Sequence, residues 1–472
     1  MKHKYLFVFC LALILRAGLA LVLFGYFGDI AFNTKDGNAH YLPLAKNLAT
    51  GNGFTLDGVN TYAYKAPGYP LFLAFFYKIF GVFWPAIVAQ IILSALLSVL
   101  IFKIGEKVGF GKKISFIAGV LTATAPHLIY YGNFFVTEAL FAFLLLFGIL
   151  YFIKFLKRPS VALAVLSGLF LGLDTLVKTS GQYLVFVFLA VGFLYFWKSK
   201  ENSGFKKYAV FLSVFFCVFI LAVLPLAVRN YFESGSFSLN SQGAYLLYRY
   251  EGASIVVVRD KVSFGDAERI AKKELLVGTG LENLPEEKLT DLKYSSVLLD
   301  RTLGLMGDNL GAVFKVGLAN VFAFWTHSNY AYFLVSYKII SMPAGGFPVT
   351  YALASGDLTK VLEIAKSVLK EPYYLVAFVS RVFWVLAALF AAVAFIYGVF
   401  KKEIGFQKRM FVLFLFLVIF YYNFTSMVLG FGVEGRLRYN VEPIMYLLAV
   451  FGLYTACRFL RFCKKVEKTC CE

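Results

Sequence analysis

Apolar runs close to twenty residues long recur from one end of this 472-residue chain to the other. About 20 such residues are what a helix needs to cross a hydrocarbon core of about 30 Å. Lipid offers no hydrogen bonds, so a run of this kind must satisfy its own backbone and therefore folds as a helix. Spans are expected near residues 5–26, 85–104, 114–131, 134–153, 161–176, 183–197, 208–228, 375–400, 410–429 and 441–462. Residues 72–80 and 313–325 are apolar but short of a full crossing, and counting them raises the total from about ten to twelve or thirteen. Residues are 60% hydrophobic and only 15% charged, against about 45–50% apolar in soluble domains. The expected class is therefore an all-α polytopic membrane protein with about 10–13 transmembrane helices. The first run carries Arg16 and lacks a small-x-small exit site, so it reads as an anchor rather than a cleaved signal.

A net charge of +19 would point to nucleic acid in a soluble protein. Here the placement of the charges decides otherwise. Lys2 and Lys4, then Lys103, Lys107, Lys112 and Lys113, then Lys154, Lys157 and Arg158, then Lys198, Lys200, Lys206 and Lys207 fall in alternate loops. Lys401, Lys402, Lys408 and Arg409, and finally Arg458, Arg461, Lys464 and Lys465, continue the pattern. The positive-inside rule makes that side cytoplasmic, with both termini inside a cell (plasma or inner) membrane. The Asp36 loop, Glu138, Lys178, the segment after Arg229 and the turn from Glu434 to Arg438 then face outward. No basic stripe with interleaved aromatics lies outside these flanks, so nucleic acid is not an expected partner.

The six cysteines offer the outer loops no disulfide framework. Cys10, Cys217 and Cys457 lie within spans, and Cys463, Cys470 and Cys471 on the inner tail read as free thiols. His3, His40, His127 and His327 make no pair at zinc-ligand spacing.

Three parts are expected: residues 1–229 with a first outer loop at 28–84, an outer subdomain at 230–373, and helices with a cytoplasmic tail at 374–472. Within the subdomain, Ser263 followed by Asp266, Ala267, Ile270, Ala271 and Leu275 reads as a capped amphipathic helix. Pro285 with Glu286 and Glu287 reads as the start of another, with Leu289, Leu292, Val297, Leu299, Leu303 and Met306 on its apolar stripe.

Several polar residues on the outward side could carry chemistry. Asp36 could take a proton from an acceptor hydroxyl or hold a divalent cation, or it could simply cap a helix. Glu138, after Thr137 at a helix entrance, could support Asp36 or only favour the helix dipole. Asp174 and Lys178 are four residues apart in the favourable order for a helix pair, although Lys178 could instead meet a phosphate. Arg229 with Asn230, and Arg436 and Arg438 with Tyr439, run against the positive-inside trend. A bound phosphate would give these guanidinium groups a reason to be there. Arg436 could otherwise pair with Glu434.

Taken in order, these residues resemble the GT-C membrane glycosyltransferases, specifically the family of protein O-mannosyltransferases and lipid A aminoarabinose transferases. The resemblance rests on Asp36, Tyr41, Ala45, Gly51 and Gly53 in the first loop, then Pro67, Gly68, Tyr69 and Pro70. It continues through Thr137 and Glu138, Lys178, Arg229 and Asn230, and ends with Arg438, Tyr439 and Pro443. It departs at Gly37, where many members carry a second acid, and Tyr41 stands one residue further from Asp36 than is common. The resemblance implies transfer of a sugar, with inversion, from a polyprenyl-phosphate or dolichyl-phosphate donor to a protein, glycolipid or glycan acceptor outside the membrane. Asp36 and Glu138 would be its catalytic acids, with Mg2+ or Mn2+ at Asp36 as the one expected cofactor. Lys178, Arg229, Arg436 and Arg438 would hold the donor phosphate, and Tyr41, Tyr69, Asn230 and Tyr439 would line the substrate pocket. A transporter or lipid flippase, or a non-catalytic envelope-assembly factor, are the competing readings.

Overall fold

The computed structural model describes residues 2–198, 205–342, 358–368, 370–401, 403–432 and 435–470. Glu434, Lys200, Lys402 and Cys471, all named above, lie outside these residues. The first part of the chain runs α1 (Lys2–Phe27), short turns at 28–32 and 37–41, α2 (Leu42–Thr50), α3 (Gly68–Phe80) and α4 (Trp84–Val108). It continues with α5 (Lys112–Thr124), α6 (Pro126–Tyr131), α7 (Glu138–Lys157), α8 (Val161–Val177), α9 (Leu184–Lys198) and α10 (Phe205–Ser234). Then come α11 (Gln242–Leu246), α12 (Gly252–Asp260), α13 (Phe264–Leu276), α14 (Ser295–Asp308), α15 (Leu310–Thr326) and α16 (Tyr330–Ser336). The chain closes with α17 (Leu358–Ser367), α18 (Pro372–Phe395), α19 (Phe406–Ser426) and α20 (Glu442–Cys470). No strand occurs among the described residues, where Thr55 and Thr61 make an isolated bridge.

Eight of the described helices, α1, α4, α7, α9, α10, α18, α19 and α20, are long and apolar enough to cross a membrane. The shorter α3, α8 and α15 are also apolar. Two expected spans change shape. The run at 114–131 is broken, because Pro126 forces Ala125 into an extended conformation and α6 restarts at the proline. That break has a use. It frees carbonyls at the end of α5, and the buried Arg16 guanidinium of α1 donates to Ala123 O at 2.9 Å and Thr122 O at 3.3 Å. A cation at a helix C-terminus also meets the negative end of its dipole. The other change is at 134–153, where α7 begins only at Glu138. Residues before it are drawn to the first loop, with Phe135 N–H donating to Phe32 O at 3.0 Å.

The buried centre is α7, packed on α4 and α8, with Phe152, Phe188, Phe215 and Phe414 meeting in the core. Small residues let backbones approach here. A Cβ on Gly168 of α8 would lie 2.4 Å from Phe215 O of α10. Exposed tryptophans mark two helix ends, Trp84 at the start of α4 and Trp197 at the end of α9.

Helices α11 to α14 build a second apolar cluster around Tyr245, Val256, Ala267, Ala271, Leu275, Leu289 and Leu298. Ser263 caps α13 as its sequence predicts, accepting from Asp266 N at 3.2 Å. The following helix does not start at Pro285. Asp291 is extended, Leu289 and Leu292 are buried on short turns, and α14 starts at Ser295 with Leu299 and Leu303 exposed. Gly430 locks this cluster to the end of α19. Its φ of +48° suits glycine, and a Cβ there would fall 2.5 Å from Tyr250 O.

Candidate active site

The first loop is held by Thr34, whose Oγ1 accepts from Gly37 N at 2.9 Å and donates to Phe135 O at 3.3 Å. Glycine is needed next to Asp36. A Cβ on Gly37 would stand 2.9 Å from Thr34 Oγ1 and 3.1 Å from Phe135 O, so the second acid common in the resembling family has no room here. Asp36 precedes the 37–41 turn without making a side-chain cap hydrogen bond, which leaves its carboxylate for other partners.

Those partners form a chain of alternating charge. Lys65 Nζ lies 3.6 Å from Asp36 Oδ1, and Arg436 Nη1 lies 3.9 Å from Asp36 Oδ2. Arg436 Nε donates to Glu138 Oε1 at 2.7 Å, and Lys178 Nζ stands 3.7 Å from that same oxygen. Three cations thus enclose two carboxylates and leave one positive charge over. Glu138 and Lys65 are buried, at 2% and 6% exposure, while Asp36 at 38% is the open member. Burial pulls the Lys65 and Lys178 ammonium groups below the ordinary lysine pKa, with Asp36 and Glu138 respectively opposing it. Burial also works against the charge on Arg436, yet Glu138 beside it outweighs that and raises its pKa above the ordinary arginine value.

Lys178 reaches Glu138 because α8 stops one residue before it. Lys178 is extended, at φ −150° and ψ 112°, so its side chain leaves the helix face that carries Asp174. The expected Asp174–Lys178 helix pair is therefore absent. Asp174 is buried instead, with its Oδ2 accepting from Tyr422 OH at 3.4 Å. Gly68 fixes where α8 ends relative to α3, since a Cβ there would come within 2.6 Å of Leu176 O.

Beside Arg436 opens a cavity of about 590 Å³ with Phe27, Ile30, Tyr130, Tyr131, Phe134 and Tyr337 among its walls and Lys35 at its edge. The Arg436 guanidinium sits 5.6 Å from the Tyr131 ring centroid. Arg436 and Lys35 thus share the cavity walls with aromatic rings.

Other residues expected at the site lie elsewhere. Arg438 is fully buried 3.6 Å from the Trp384 ring centroid, donates to Phe324 O at 2.8 Å and has Glu442 at 4.0 Å. It knits helices together, closed off from solvent, with its Nε and Nη2 lacking hydrogen-bond partners. Arg229 Nη1 donates to Tyr62 O at 3.1 Å and Asn230 Oδ1 at 3.2 Å, which ties the first loop to the end of α10. Among the described residues no ion pair joins it to the Asp36 chain. Asn230 is buried and clamps Ser238 O and Leu239 O rather than lining a pocket. Tyr69 and Tyr439 are likewise buried, with Tyr69 OH donating to Gln90 Oε1 at 2.9 Å and Tyr439 OH 3.3 Å from Ser94 Oγ. Tyr41 packs edge-on against Tyr69 with its ring 5.8 Å from Lys65 Nζ, close to the charges but covered. Lys65 joins this chain beyond the residues expected from sequence.

A divalent cation at Asp36 does not fit this donor set. Two cationic side chains already face the carboxylate, and among the described residues no group of three acidic, histidine or cysteine ligands converges anywhere.

The helical arrangement has known counterparts. Archaeal oligosaccharyltransferase AglB from Archaeoglobus fulgidus, solved with an inhibitory peptide and a dolichol-phosphate, aligns over 99% of this chain and 52% of its own, at TM-score 0.50 and 15% identity. The chain has a GT-C fold. The same oligosaccharyltransferase tethered to an acceptor peptide aligns over 98% of this chain and 50% of its own, at TM-score 0.52 and 14% identity. This GT-C chain thus spans about half the length of the structures it matches. ArnT from Cupriavidus metallidurans bound to undecaprenyl phosphate aligns over 94% of this chain and 77% of its own, at TM-score 0.39 and 14% identity, too loosely to carry an argument. The family model described as dolichyl-phosphate-mannose-protein mannosyltransferase matches residues 64–226. That stretch of the GT-C fold holds Lys65, Glu138 and Lys178. No curated protein matches the sequence.

Proposed function

We propose that the protein is an integral membrane glycosyltransferase that takes a sugar from a polyprenyl-phosphate or dolichyl-phosphate donor and passes it, with inversion, to an acceptor hydroxyl on the extracytoplasmic side. The observation that carries this reading is the chain Lys65–Asp36–Arg436–Glu138–Lys178, whose Arg436 lines the aromatic cavity. The family match and the dolichol-phosphate bound by AglB support a lipid-phosphate donor. The alternation of basic loops supports the extracytoplasmic side.

In the proposed reaction the acceptor oxygen attacks the anomeric carbon and its proton passes to Asp36, the open carboxylate. The sugar–phosphate C–O bond breaks, and its electron pair stays on the lipid phosphate. A phosphodiester of charge −1 becomes a monoester approaching −2, and Arg436 and Lys178 stand where that growing charge would be met. Glu138 is covered and occupied by both cations, so it positions them rather than taking a proton. No step is routed through a metal. The aromatic cavity would hold the first isoprene units or the sugar ring. Transport would call for ionisable groups working at span centres. Arg16, a charge inside the first span, is spent on Ser94 and the carbonyls of α5.

The test is transfer of labelled sugar from a panel of synthetic lipid-phosphate sugars by the full chain in lipid bilayers. Wild type is expected to release free lipid phosphate, and Asp36→Asn to release at least 100-fold less. Wild-type turnover in Asp36→Asn removes the assigned base, and a folded wild type that turns over no donor removes the enzyme reading.

A further inference from the structure

We propose that His127 is a positioning residue for Arg436, acting through the turn that carries it; this rests on reading Arg436 as a donor-phosphate group. The imidazole is fully buried near the start of α6. Its Nε2 accepts from the backbone N–H of Asn329 at 3.1 Å. A backbone N–H can only donate, so Nε2 carries no proton, and the ring proton sits on Nδ1, 3.0 Å from Glu442 Oε2. The imidazole is thereby pinned at both nitrogens, between the 327–329 segment and the first turn of α20.

The pinned ring bears directly on the cationic site. A Cβ on Gly435 would lie 2.8 Å from His127 Cε1, 3.0 Å from His327 O and 3.1 Å from Ser328 Cα. The residue before Arg436 is thus seated against the imidazole Cε1 and on the backbone that the imidazole holds. A second route reaches the same guanidinium. Asn329 Nδ2 donates to Tyr131 OH at 3.1 Å, and the Tyr131 ring lies under Arg436. One histidine therefore sets both the turn that delivers Arg436 and the ring it rests on. Small displacements of such a group matter, because a misplacement of about 1 Å can cost on the order of 100-fold in rate.

The experiment measures dolichyl phosphate binding by the full chain in lipid for wild type, His127→Ala, Arg436→Ala and the double variant. His127→Ala is expected to weaken binding about tenfold, and to weaken it no further once Arg436 is gone, as for residues acting through one another. A merely structural histidine would give losses that multiply in the double variant, and that result overturns the proposal. Since His127→Ala takes from the buried Glu442 one partner, leaving it Tyr446 and Arg438, and could fail to fold, Gly435→Ala probes the contact from the other side and is expected to weaken binding similarly. Wild-type affinity in folded Gly435→Ala or folded His127→Ala overturns the positioning role alone. Absence of binding by wild type instead overturns the functional reading, and the inference with it.

Discussion

Glu138 takes two cations on a single carboxylate oxygen while almost wholly shielded from water. Its main partner, Arg436, is 298 residues away in sequence, so the ion pair also fastens the last part of the chain to its first third. Removing one partner of a buried pair costs more than the pair contributes, because the remaining charge loses both water and counter-ion. Glu138→Gln is therefore expected to lower stability by about 3 kcal/mol, read from thermal unfolding, and to abolish donor turnover. A second residue gives a pH signature. Burial raises the Glu251 carboxyl to about 7 from an ordinary 4.5, so the folded state holds a proton there that the unfolded state has lost. Its contribution is complete below about 4.5 and lost as pH rises through about 7. Glu251→Gln should accordingly raise the unfolding midpoint relative to wild type more at pH 8 than at pH 5; an equal shift at both would refute this. Asp36, Glu138, Lys178 and Arg436, which the structure brings together, stood out in sequence because each is a charge at the edge of an apolar run. The burial of Arg438 and Asn230 was not legible, because composition does not tell a buried guanidinium or amide from one facing a ligand. His127 was not legible, since its partner Glu442 comes from another part of the chain, and Lys65 was not because its pairing with Asp36 depends on how the first loop folds back on itself.

At the scale of elements, apolar length alone located most of the bundle, because lipid leaves a long apolar run only the helical answer. What it did not reveal was where helices stop. The end of α8 at Val177 turns Lys178 from a helix partner of Asp174 into a partner of Glu138, and one residue's backbone angles make that difference. The proline break between α5 and α6 was hidden in the same way by an unbroken apolar run, although Arg16 depends on it. Gly68 governs the first of these endings. Gly68→Ala would press a methyl against the Leu176 and Val177 backbone, and overpacking of this kind typically costs about 1–3 kcal/mol. The expected outcome is a lower unfolding midpoint with donor turnover reduced at least tenfold, because the end of α8 cannot give way to the methyl without moving Lys178. Full activity in that variant would show that the end of α8 does not set the Lys178 position.

For the whole molecule, the GT-C arrangement gathers at one end of α7 the charges that sequence scatters over 400 residues. That helix starts at Glu138 and runs 20 residues, about 30 Å at 1.5 Å per residue, so the charged chain and Lys157 stand a hydrocarbon thickness apart. The tryptophans at the helix ends turn this separation into an optical marker. Trp84 and Trp197 are 58% and 64% exposed at the start of α4 and the end of α9, so each indole emits from one end of its own helix. In sealed vesicles, single-tryptophan variants and an impermeant quencher such as iodide would dim whichever indole faces the outside. Sidedness of the charged chain can then be read as light, with no tag and no substrate.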